Sequence, residues 1–540
     1  MQIKNLFILI LFLPVTFLLQ ANNGIYDPFD YGAKGDGQSL ETQAIQKAID
    51  DCHEKGGGRV ILYNGKFVSG TIILKSNVTL FIENGAVLKA SDNLENFPVM
   101  PSGYPSYKGE METNKMLIYA EDEKNISIEG RGTIDGNGDH WIKGPYGSPS
   151  FSLRPRIIHF RGCENIHVTG VTLYNSASWV QSYQSCKNIV ISGVTVDSRE
   201  NKDIEKERYA DAPGRNTDGM DLVDCEKVRV SNCFINSGDD AICMKSLSPD
   251  GKCRDITITN CIVSSNASGI KIGTETTGTF EDITIQNCVV FDTRAEAIAL
   301  LSADGARVKR INVSGISLRN IKGAAIAIRL GNRNRPYRKD VELNQDPVIK
   351  DIMIENIQGT RISADYGCSV TGIPNHRVEN IILQNINLEF EGGGTAEESY
   401  REIPEREKSY PSGRLFGRIP AYGFFIRHAN NVTLKDISLI FDKEEERPAV
   451  ICDDVNKLNI KALKATGTNN TPELIRLVNT SDAVISECRP VSDIPLFLSV
   501  SGDKSNNIVL MNNLLKNAKQ NTAFKNGAKE LILDESGTIE

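Results

Sequence analysis

The chain has 540 residues, with 61 basic and 69 acidic side chains and a formal net charge of −8. Its hydrophobic fraction of 40% and charged fraction of 24% exclude a wholly disordered chain. The mild acidity gives no concentrated basic surface, so we expect no nucleic-acid partner. The 45 glycines against 2 tryptophans indicate many turns and thin strands.

The first 21 residues have the pattern of a signal peptide. Lys4 precedes an apolar run, Leu6–Leu19, whose length suits a signal-peptide core and is short for a membrane-spanning helix. The small residue Ala21 offers a cleavage position. We predict a signal peptide over 1–21 and an exported mature protein over 22–540, periplasmic or extracellular and without stable membrane insertion. An uncleaved anchor is the alternative.

One segment near the start is predicted to be helical. The stretch 39–57 carries an apolar stripe at helical spacing and ends in glycines. An amphipathic helix at this place would cap the open end of the core that follows. The stripe consists of Leu40, Ala44, Ile45, Ala48 and Ile49.

Most of the remaining chain repeats with a period of about 22–28 residues. Asn232, Asn260 and Asn287 are separated by steps of 28 and 27 residues. Each unit contains short runs in which apolar and polar residues alternate, which is the pattern of β-strands. Such repeats are typical of an all-β parallel solenoid. We predict one solenoid domain with its core over about 25–490 and C-terminal coils or a cap to 540.

The cysteines follow the same period. In an exported chain, 12 cysteines suggest a disulfide framework. Here one cysteine recurs at the same place in successive repeats, which favours small buried residues stacked in a core. Disulfides remain the alternative, and no CxxC pair or histidine cluster indicates a metal site. The recurring positions are Cys163, Cys186, Cys225 and Cys253, and a second set of Cys233, Cys261 and Cys288.

Three carboxylates are predicted to meet where neighbouring coils stack, because residues one repeat apart lie about 4.8 Å from each other in a solenoid. Four segments share a small residue followed by Ile or Met: "NTDGM" (216–220), "GDDAI" (238–242), "ASGI" (267–270) and "AEAI" (295–298). Superposing them predicts a column of Asp218, Asp240, Ser268 and Glu296, with Asp239 directly before Asp240. Repulsion between the three aspartates would raise at least one of their pKa values.

Such a cluster suits glycoside hydrolysis, in which one carboxylic acid protonates the departing oxygen while a carboxylate activates water. Mutual repulsion separates the pKa values of the two groups into those of an acid and a base. Two other interpretations stay open. The motifs are also compatible with two solvated turns, because Asn, Asp and Gly are turn formers. The acids are equally compatible with Ca²⁺ binding in a β-elimination lyase, which additionally needs a basic residue to remove a proton.

The two acidic motifs resemble those of glycoside hydrolase family 28, the polygalacturonases and rhamnogalacturonases. "NTDGMD" (216–221) is followed by "GDD" (238–240), and "FDYGAKGDGQSLETQAIQKAID" (29–50) and "GTIDGNG" (132–138) are similar to other stretches of the family. The resemblance covers about residues 25–490. It implies a right-handed parallel β-helix and an inverting hydrolase without a cofactor. It also implies that Asp239 is the general acid and that Asp218 and Asp240 position and activate water.

Two further family motifs are replaced in this chain. Where polygalacturonases carry Gly-His-Gly, the sequence has Ala267-Ser268-Gly269, and where they carry Arg-Ile-Lys for the substrate carboxylate it has Ala299-Leu300-Leu301. The acids are therefore retained while the usual galacturonate clamp is not. We predict attack on a different pectic linkage, in rhamnogalacturonan or a side chain, in preference to ordinary endo-attack on polygalacturonan.

Other side chains are candidates for substrate contact. Lys271 is preferred, because Gly269, Ile270, Ile272 and Gly273 leave it on a strand facing the column. A solvated charge is the alternative interpretation for the cations, and a plain surface role is the alternative for Glu296. The remaining candidates are Ser268, Lys245, Glu296 and Arg329.

These inferences predict a monomeric hydrolase that acts on pectic polysaccharides or oligosaccharides without a metal or a cofactor. A pectic lyase on the same fold and a non-catalytic carbohydrate-binding solenoid are the rival interpretations. The polar stretch 390–420, rich in Glu, Arg, Pro and Gly, is predicted to form a long loop on one face. If it blocks one end of a cleft, the enzyme would act on chain ends.

Overall fold

The computed structural model describes residues 24–105, 115–141, 153–199, 216–337 and 341–528 together with strand Ile532–Leu533. The chain is a right-handed parallel β-helix, as predicted, in which every coil pairs in parallel with the coils before and after it. The 41 strands of these residues form three faces, which we name sheets A, B and C. The predicted signal peptide lies outside the described residues.

Sheet A runs the length of the solenoid. Its strands are Ile25–Tyr26, Gly58–Leu62, Val78–Ile82, Lys124–Gly130, Glu164–Thr169, Lys187–Ser192, Glu226–Ser231, Lys252–Thr259, Thr279–Gln286, Ser481–Ser486, Asn506–Met511 and Ile532–Leu533. Five longer strands turn corners and also belong to a second sheet or, for Phe424–Phe441, to all three. They are Arg307–Ile321, Val348–Ile362, Val378–Phe390, Phe424–Phe441 and Val450–Lys461.

Sheets B and C form the other two faces. Sheet B contains Asp36–Leu40, Lys66–Ser69, Val87–Ala90, Thr133–Asp135, Thr172–Tyr174, Thr195–Ser198, Phe234–Ser237, Ile262–Ser265, Val289–Thr293, Lys464–Ala465 and Arg489–Pro490. Sheet C contains Ile72–Ile73, Met116–Glu121, Arg156–Arg161, Gln181–Gln184, Met220–Val223, Ile242–Ser246, Ile270–Thr276, Ile298–Ser302, Ile326–Leu330, Cys368–Thr371, Ile475–Val478, Ile494–Ser501 and Ala518–Lys525.

The core is a stack of apolar side chains that repeats with the coils. Because strand side chains alternate between faces, every second residue of a strand points inward and meets its equivalent one coil away. In sheet A, Ile166 pairs in register with Ile189, which pairs with Val228, and Val228 with Ile256. The buried core built in this way is continuous from Tyr26 to Leu510.

The recurring asparagines lie at the corners. Asn232, Asn260 and Asn287 have φ angles of 57°, 55° and 54°, the left-handed conformation that asparagine tolerates better than most residues. The side-chain amide of Asn260 donates to the Oδ1 atom of Asn232 at 3.5 Å. The periodic asparagines are therefore explained by the turn between sheets A and B that each coil must make.

All 12 cysteines are buried and none forms a disulfide, and the recurring ones lie in the core as predicted. The flanking register places Cys186 beside Cys163 on one coil and beside Cys225 on the next. The same holds for Cys261, which lies between Cys233 and Cys288. A small side chain suits these inward positions, where each thiol packs against its neighbours.

The predicted N-terminal helix is present and shorter than its sequence pattern. Helix Thr42–Glu54 buries Ala44, Ile45, Ala48 and Ile49 against the first coils. The prediction is wrong at Leu40, which ends strand Asp36–Leu40 and is 52% exposed. The Asp36 carboxylate accepts hydrogen bonds from the backbone amides two and three residues later. These bonds form a local turn that keeps the segment before the helix non-helical. The other helical segments are short: Pro28–Tyr31, Leu94–Asn96, Gly138–Trp141 and Glu397–Tyr400.

The chain continues in coils beyond residue 490. Strands Ile494–Ser501 and Ala518–Lys525 continue the parallel pairing of sheet C. The weak alternation of this tail reflects its exposure, since most side chains of Ala518–Lys525 are not buried. Within the described residues, no helix has the length and apolar character needed to cross a membrane.

Candidate active site

The predicted column of polar residues is confirmed by the register of sheet C. Met220 pairs with Ile242, Ile242 with Ile270, and Ile270 with Ile298. Asp218, Asp240, Ser268 and Glu296 each lie two residues before one of these positions, so they fall side by side on successive coils. Carboxylate oxygens of Asp218, Asp239 and Asp240 all lie within 4.8 Å of one another.

Asp239 is held by its backbone and stays partly exposed. Its carbonyl oxygen accepts hydrogen bonds from the hydroxyls of Ser237 and Ser265, each at 2.5 Å. Its carboxylate accepts from the backbone amides of Asn216 and Asp240 at 3.0 and 2.9 Å. Asp218 and Asp240 are buried, so Asp239 is the member of the trio with access to solvent.

Asp240 is fixed by a lysine and a backbone amide. Its Oδ2 atom lies 2.7 Å from the Nζ atom of Lys271, and its Oδ1 atom accepts from the amide of Ser268 at 3.0 Å. Burial by itself would raise the pKa of Asp240, but Lys271 and Lys245 outweigh it and lower the pKa below its usual range. Asp240 is therefore the ionised carboxylate of the site.

Asp218 shares a second lysine with a residue that the sequence reasoning missed. The Nζ atom of Lys245 lies 2.9 Å from Asp218 Oδ2 and 2.6 Å from Asp221 Oδ1. Asp221 is fully buried on strand Met220–Val223, where it points to the same side as Lys245. Its outward position follows from the alternation of "MDLV", in which Met220 and Leu222 point inward, so the pattern contained a usable signal.

An aromatic ring supports Lys245. Its Nζ atom lies 3.9 Å from the ring centroid of Trp179, and the guanidinium of Arg156 lies 4.2 Å from the same centroid. Cations over an indole ring are stabilised by its quadrupole, most strongly when desolvated. Trp179 is 6% exposed, so it packs under the site and does not present an open platform.

The pairing of charges distinguishes the three acids. Asp218 and Asp240 each contact a buried lysine, whereas Asp239 contacts backbone amides. Partial burial, together with the carboxylates of Asp218 and Asp240, raises the pKa of Asp239 to about 7. A proton is thus retained near neutral pH on Asp239, while Asp240 stays ionised, which is the division that acid–base catalysis needs.

The two lysines also bear on metal binding and on elimination chemistry. Three close carboxylates are a donor set that a divalent cation would accept, but two ammonium groups already contact this cluster and would repel a cation. Burial opposes the charge of Lys271, yet Asp240 outweighs it and raises the lysine pKa. A lysine that keeps its proton cannot remove one from a sugar, so the geometry favours hydrolysis over elimination.

Ser268 and Glu296 lie in the column as predicted and contact each other. The Ser268 hydroxyl donates to Glu296 Oε2 at 2.8 Å. Glu296 Oε1 accepts from the Ser412 hydroxyl at 2.8 Å and from the Gly413 amide at 2.5 Å. The carboxylate of Glu296 is thereby tied to a loop more than 100 residues later in the chain.

Arg329 lies in sheet C but is occupied by structural contacts. It is buried, donates to the carbonyl oxygens of Gly372 and Glu405 at 3.2 and 2.8 Å, and lies 5.0 Å from the ring centroid of Phe416. Its strand is two coils beyond that of Lys271. The structure thus places Arg329 among loop anchors, apart from the carboxylate trio.

The sequence is similar to a known family of enzymes. Residues 73–408, well over half of the chain, match the family model of Glycosyl hydrolases family 28. A probable polygalacturonase of Vitis vinifera is 27% identical over 385 residues, covering 66% of this chain and 73% of that protein.

Two solved structures share the fold. A hyperthermoactive exopolygalacturonase from Thermotoga maritima matches with a TM-score of 0.58 at 23% identity, covering 68% of this chain and 87% of that one. A family 28 exopolygalacturonase from Yersinia enterocolitica matches with a TM-score of 0.51 at 18% identity, covering 91% and 78%. At these identities the likeness supports the β-helix architecture.

The charge pairing predicts how the acids titrate. In the native protein we expect Asp239 to titrate near pH 7 and Asp240 below its usual range. Lys271→Met removes the ammonium beside Asp240, so the pKa of Asp240 should rise because burial is then less opposed. Carbon-13 NMR of aspartate-labelled protein measures both values, with Asp239→Asn and Asp240→Asn assigning the signals.

Lys309→Met is the matched control for this titration. Lys309 forms a 2.9 Å ion pair with Glu281 on sheet A, so its loss should leave both aspartate pKa values unchanged. An unaltered titration of Asp240 in Lys271→Met would show that Lys271 does not hold this carboxylate ionised.

Proposed function

The chain belongs to family 28 of the glycosyl hydrolases, and from that membership we propose that it hydrolyses a glycosidic bond in a pectic polysaccharide or oligosaccharide with Asp239 as the general acid. The observation that carries the proposal is the unequal pairing of the three acids. Lys245 and Lys271 stabilise the charge of Asp218 and Asp240, and Asp239 has no lysine in contact among the described residues.

The proposed reaction follows from this difference in charge pairing between Asp239 and the other two aspartates. Protonated Asp239 gives its proton to the glycosidic oxygen as the bond from that oxygen to the anomeric carbon breaks. A water molecule bonds to the anomeric carbon and passes one proton to Asp240. Asp218 Oδ1 is buried and has no hydrogen-bond partner among the described residues, so it is available to accept from this water. Asp240 then releases the proton it gained to solvent and Asp239 takes one up from solvent, which restores the starting state of both groups.

Inversion at the anomeric carbon is part of the proposal. Inverting enzymes usually separate their two carboxyl groups by about 6.5–9.5 Å and retaining enzymes by about 5–5.5 Å, so the short spacing alone would favour retention. Three contacts favour inversion instead. Both oxygens of Asp240 accept hydrogen bonds, and Asp218 is ion-paired with Lys245, which makes each of them a weak nucleophile. The family resemblance implies the same outcome.

The substrate is proposed to differ from ordinary polygalacturonan. The positions of the family's carboxylate clamp hold Ala299 and Leu301, and both side chains are buried. Lys245 and Lys271 are engaged with the catalytic aspartates and Arg329 with loop carbonyls. Since these candidate cations already have partners, we propose a linkage of rhamnogalacturonan or of a pectic side chain.

Replacement of the acids tests the hydrolase proposal. Asp239→Asn should lower turnover by about 10²–10⁴-fold, because the leaving oxygen loses its proton donor, and Asp218→Asn should also lower it by orders of magnitude. The assay is release of reducing ends from a panel of homogalacturonan, rhamnogalacturonan and defined pectic oligosaccharides. Asp250→Asn, at an exposed turn position, is the control that should retain activity. Full activity in both active-site variants would refute the site.

The stereochemistry of the product tests the mechanism separately. Proton NMR at the start of hydrolysis distinguishes the anomer formed first, before mutarotation mixes the two. We expect the configuration opposite to that of the bond cleaved. A retained configuration would mean that Asp218 or Asp240 forms a covalent intermediate, which contradicts their proposed roles in positioning and activating water.

Export is proposed from the N-terminal sequence alone. The apolar run Leu6–Leu19 and the small residue Ala21 support a cleaved signal peptide. After expression of the full chain, mass spectrometry of the secreted or periplasmic fraction should find a new N-terminus near residue 22. Recovery of the uncleaved chain in the cytoplasm would contradict the proposal.

A further inference from the structure

A long loop passes over the acid column at one end of the site. It leaves sheet B after Phe390 and enters sheet C at Phe424; we call the part over 391–420 the wall loop. Its Ser412 and Gly413 contact Glu296, which lies two coils beyond Asp240. At about 4.8 Å per coil, the wall loop therefore meets the column about 10 Å from Asp240.

The wall loop is fixed along its length. The fully buried Arg447 donates to the carbonyl oxygen of Ile419 at 2.8 Å and pairs with Glu445, which accepts from the amide of Gly394 at 3.0 Å. Arg427 donates to the carbonyl oxygen of Ile403 at 2.7 Å. These contacts, together with the hydrogen bonds from Arg329, hold the wall loop in place over the acid column.

A chamber of about 260 Å³ lies between the wall loop and the acid column. The solenoid contributes Asp240, Ser268, Lys271 and Glu296 to it, and the loop contributes Tyr410 and Ser412 among others. The volume falls below the range of about 300–1,000 Å³ typical of pockets for drug-sized ligands. A single sugar ring is an appropriate occupant.

Tyr410 gives the chamber an aromatic surface. Its side chain lines the chamber, and the residue is 57% exposed, unlike the buried aromatic rings of the core. Lys271 Nζ lies 6.0 Å from its ring centroid. An exposed aromatic ring beside hydrogen-bonding side chains suits the mixed apolar and hydroxyl surface of a sugar.

We propose that this chamber binds the terminal sugar of a pectic chain, so that the enzyme removes single sugar residues from one chain end. The inference rests on the proposed hydrolase function. A substrate that follows the column from Asp218 past Asp240 cannot continue beyond Glu296, because the wall loop occupies that path. The sugar on the chamber side of the scissile bond is therefore the last of its chain.

The size of the first products tests this proposal. The wild-type enzyme is incubated with the panel oligosaccharide that it hydrolyses, and early products are resolved by mass spectrometry. The chamber predicts a monosaccharide together with an oligosaccharide shortened by one residue. Internal cleavage in the first turnovers would overturn the chamber assignment while leaving the hydrolase proposal intact. Absence of hydrolysis with every substrate would contradict the hydrolase proposal itself.

A pair of tyrosine variants tests the wall of the chamber. Tyr410→Ala should raise KM by about 3- to 10-fold with little change in kcat, because a stacking surface is lost while the acids are untouched. Tyr400→Ala is the control: Tyr400 is on the same loop and 63% exposed, but contacts Arg476 and does not line the chamber. Equal KM values in both variants and the wild type, at unchanged thermal stability, would contradict the role assigned to Tyr410.

Discussion

Hydrogen bonding between successive coils is the interaction on which the structure depends. Within the solenoid the strands pair in parallel with those one repeat earlier and one repeat later, and most of these pairs are in continuous register. This pairing fixes the axial separation of equivalent residues at about 4.8 Å. It therefore packs apolar residues into continuous stacks inside the solenoid and places Asp218 beside Asp240 outside it. The core and the catalytic column are two results of the same register.

Such close stacking concentrates charge, and the protein compensates for it locally. Buried carboxylates within 4.8 Å of one another repel strongly in a medium of low polarity. Lys245 and Lys271 offset that repulsion from outward positions on the neighbouring strands, and Trp179 and Asp221 support Lys245 in turn. Breaking either ion pair would leave a buried charge without a partner, which is far more costly than losing a surface pair. Lys271 and Lys245 lower the pKa of Asp240, whereas burial raises the pKa values of Asp218 and Asp239.

The cleft combines this regular surface with one irregular element. Sheet C supplies side chains at fixed spacing, which suits a polymer that extends along the solenoid. The wall loop interrupts that surface, and two of its anchoring arginines come from coils that follow it in the chain. We propose that sheet C recognises the repeated sugars and that the wall loop limits how many of them bind. These are separate parts of the molecule. In the proposed function, the solenoid carries the acids and the wall loop restricts the substrate to a chain end.

The sequence by itself determined the solenoid and the column. Both follow from the repeat of the coils and from the alternation of apolar and polar residues within each strand, and these patterns are visible in short stretches of sequence. Superposing Met220, Ile242, Ile270 and Ile298 was sufficient to align the acids. The pattern failed at Leu40, where a local turn departs from it. Only the tertiary structure decided which lysine pairs with which aspartate, that Arg329 serves the loop, and that Ser412 reaches Glu296. Those contacts depend on the final positions of the side chains and of the wall loop once the coils have stacked. No local sequence pattern encodes these positions.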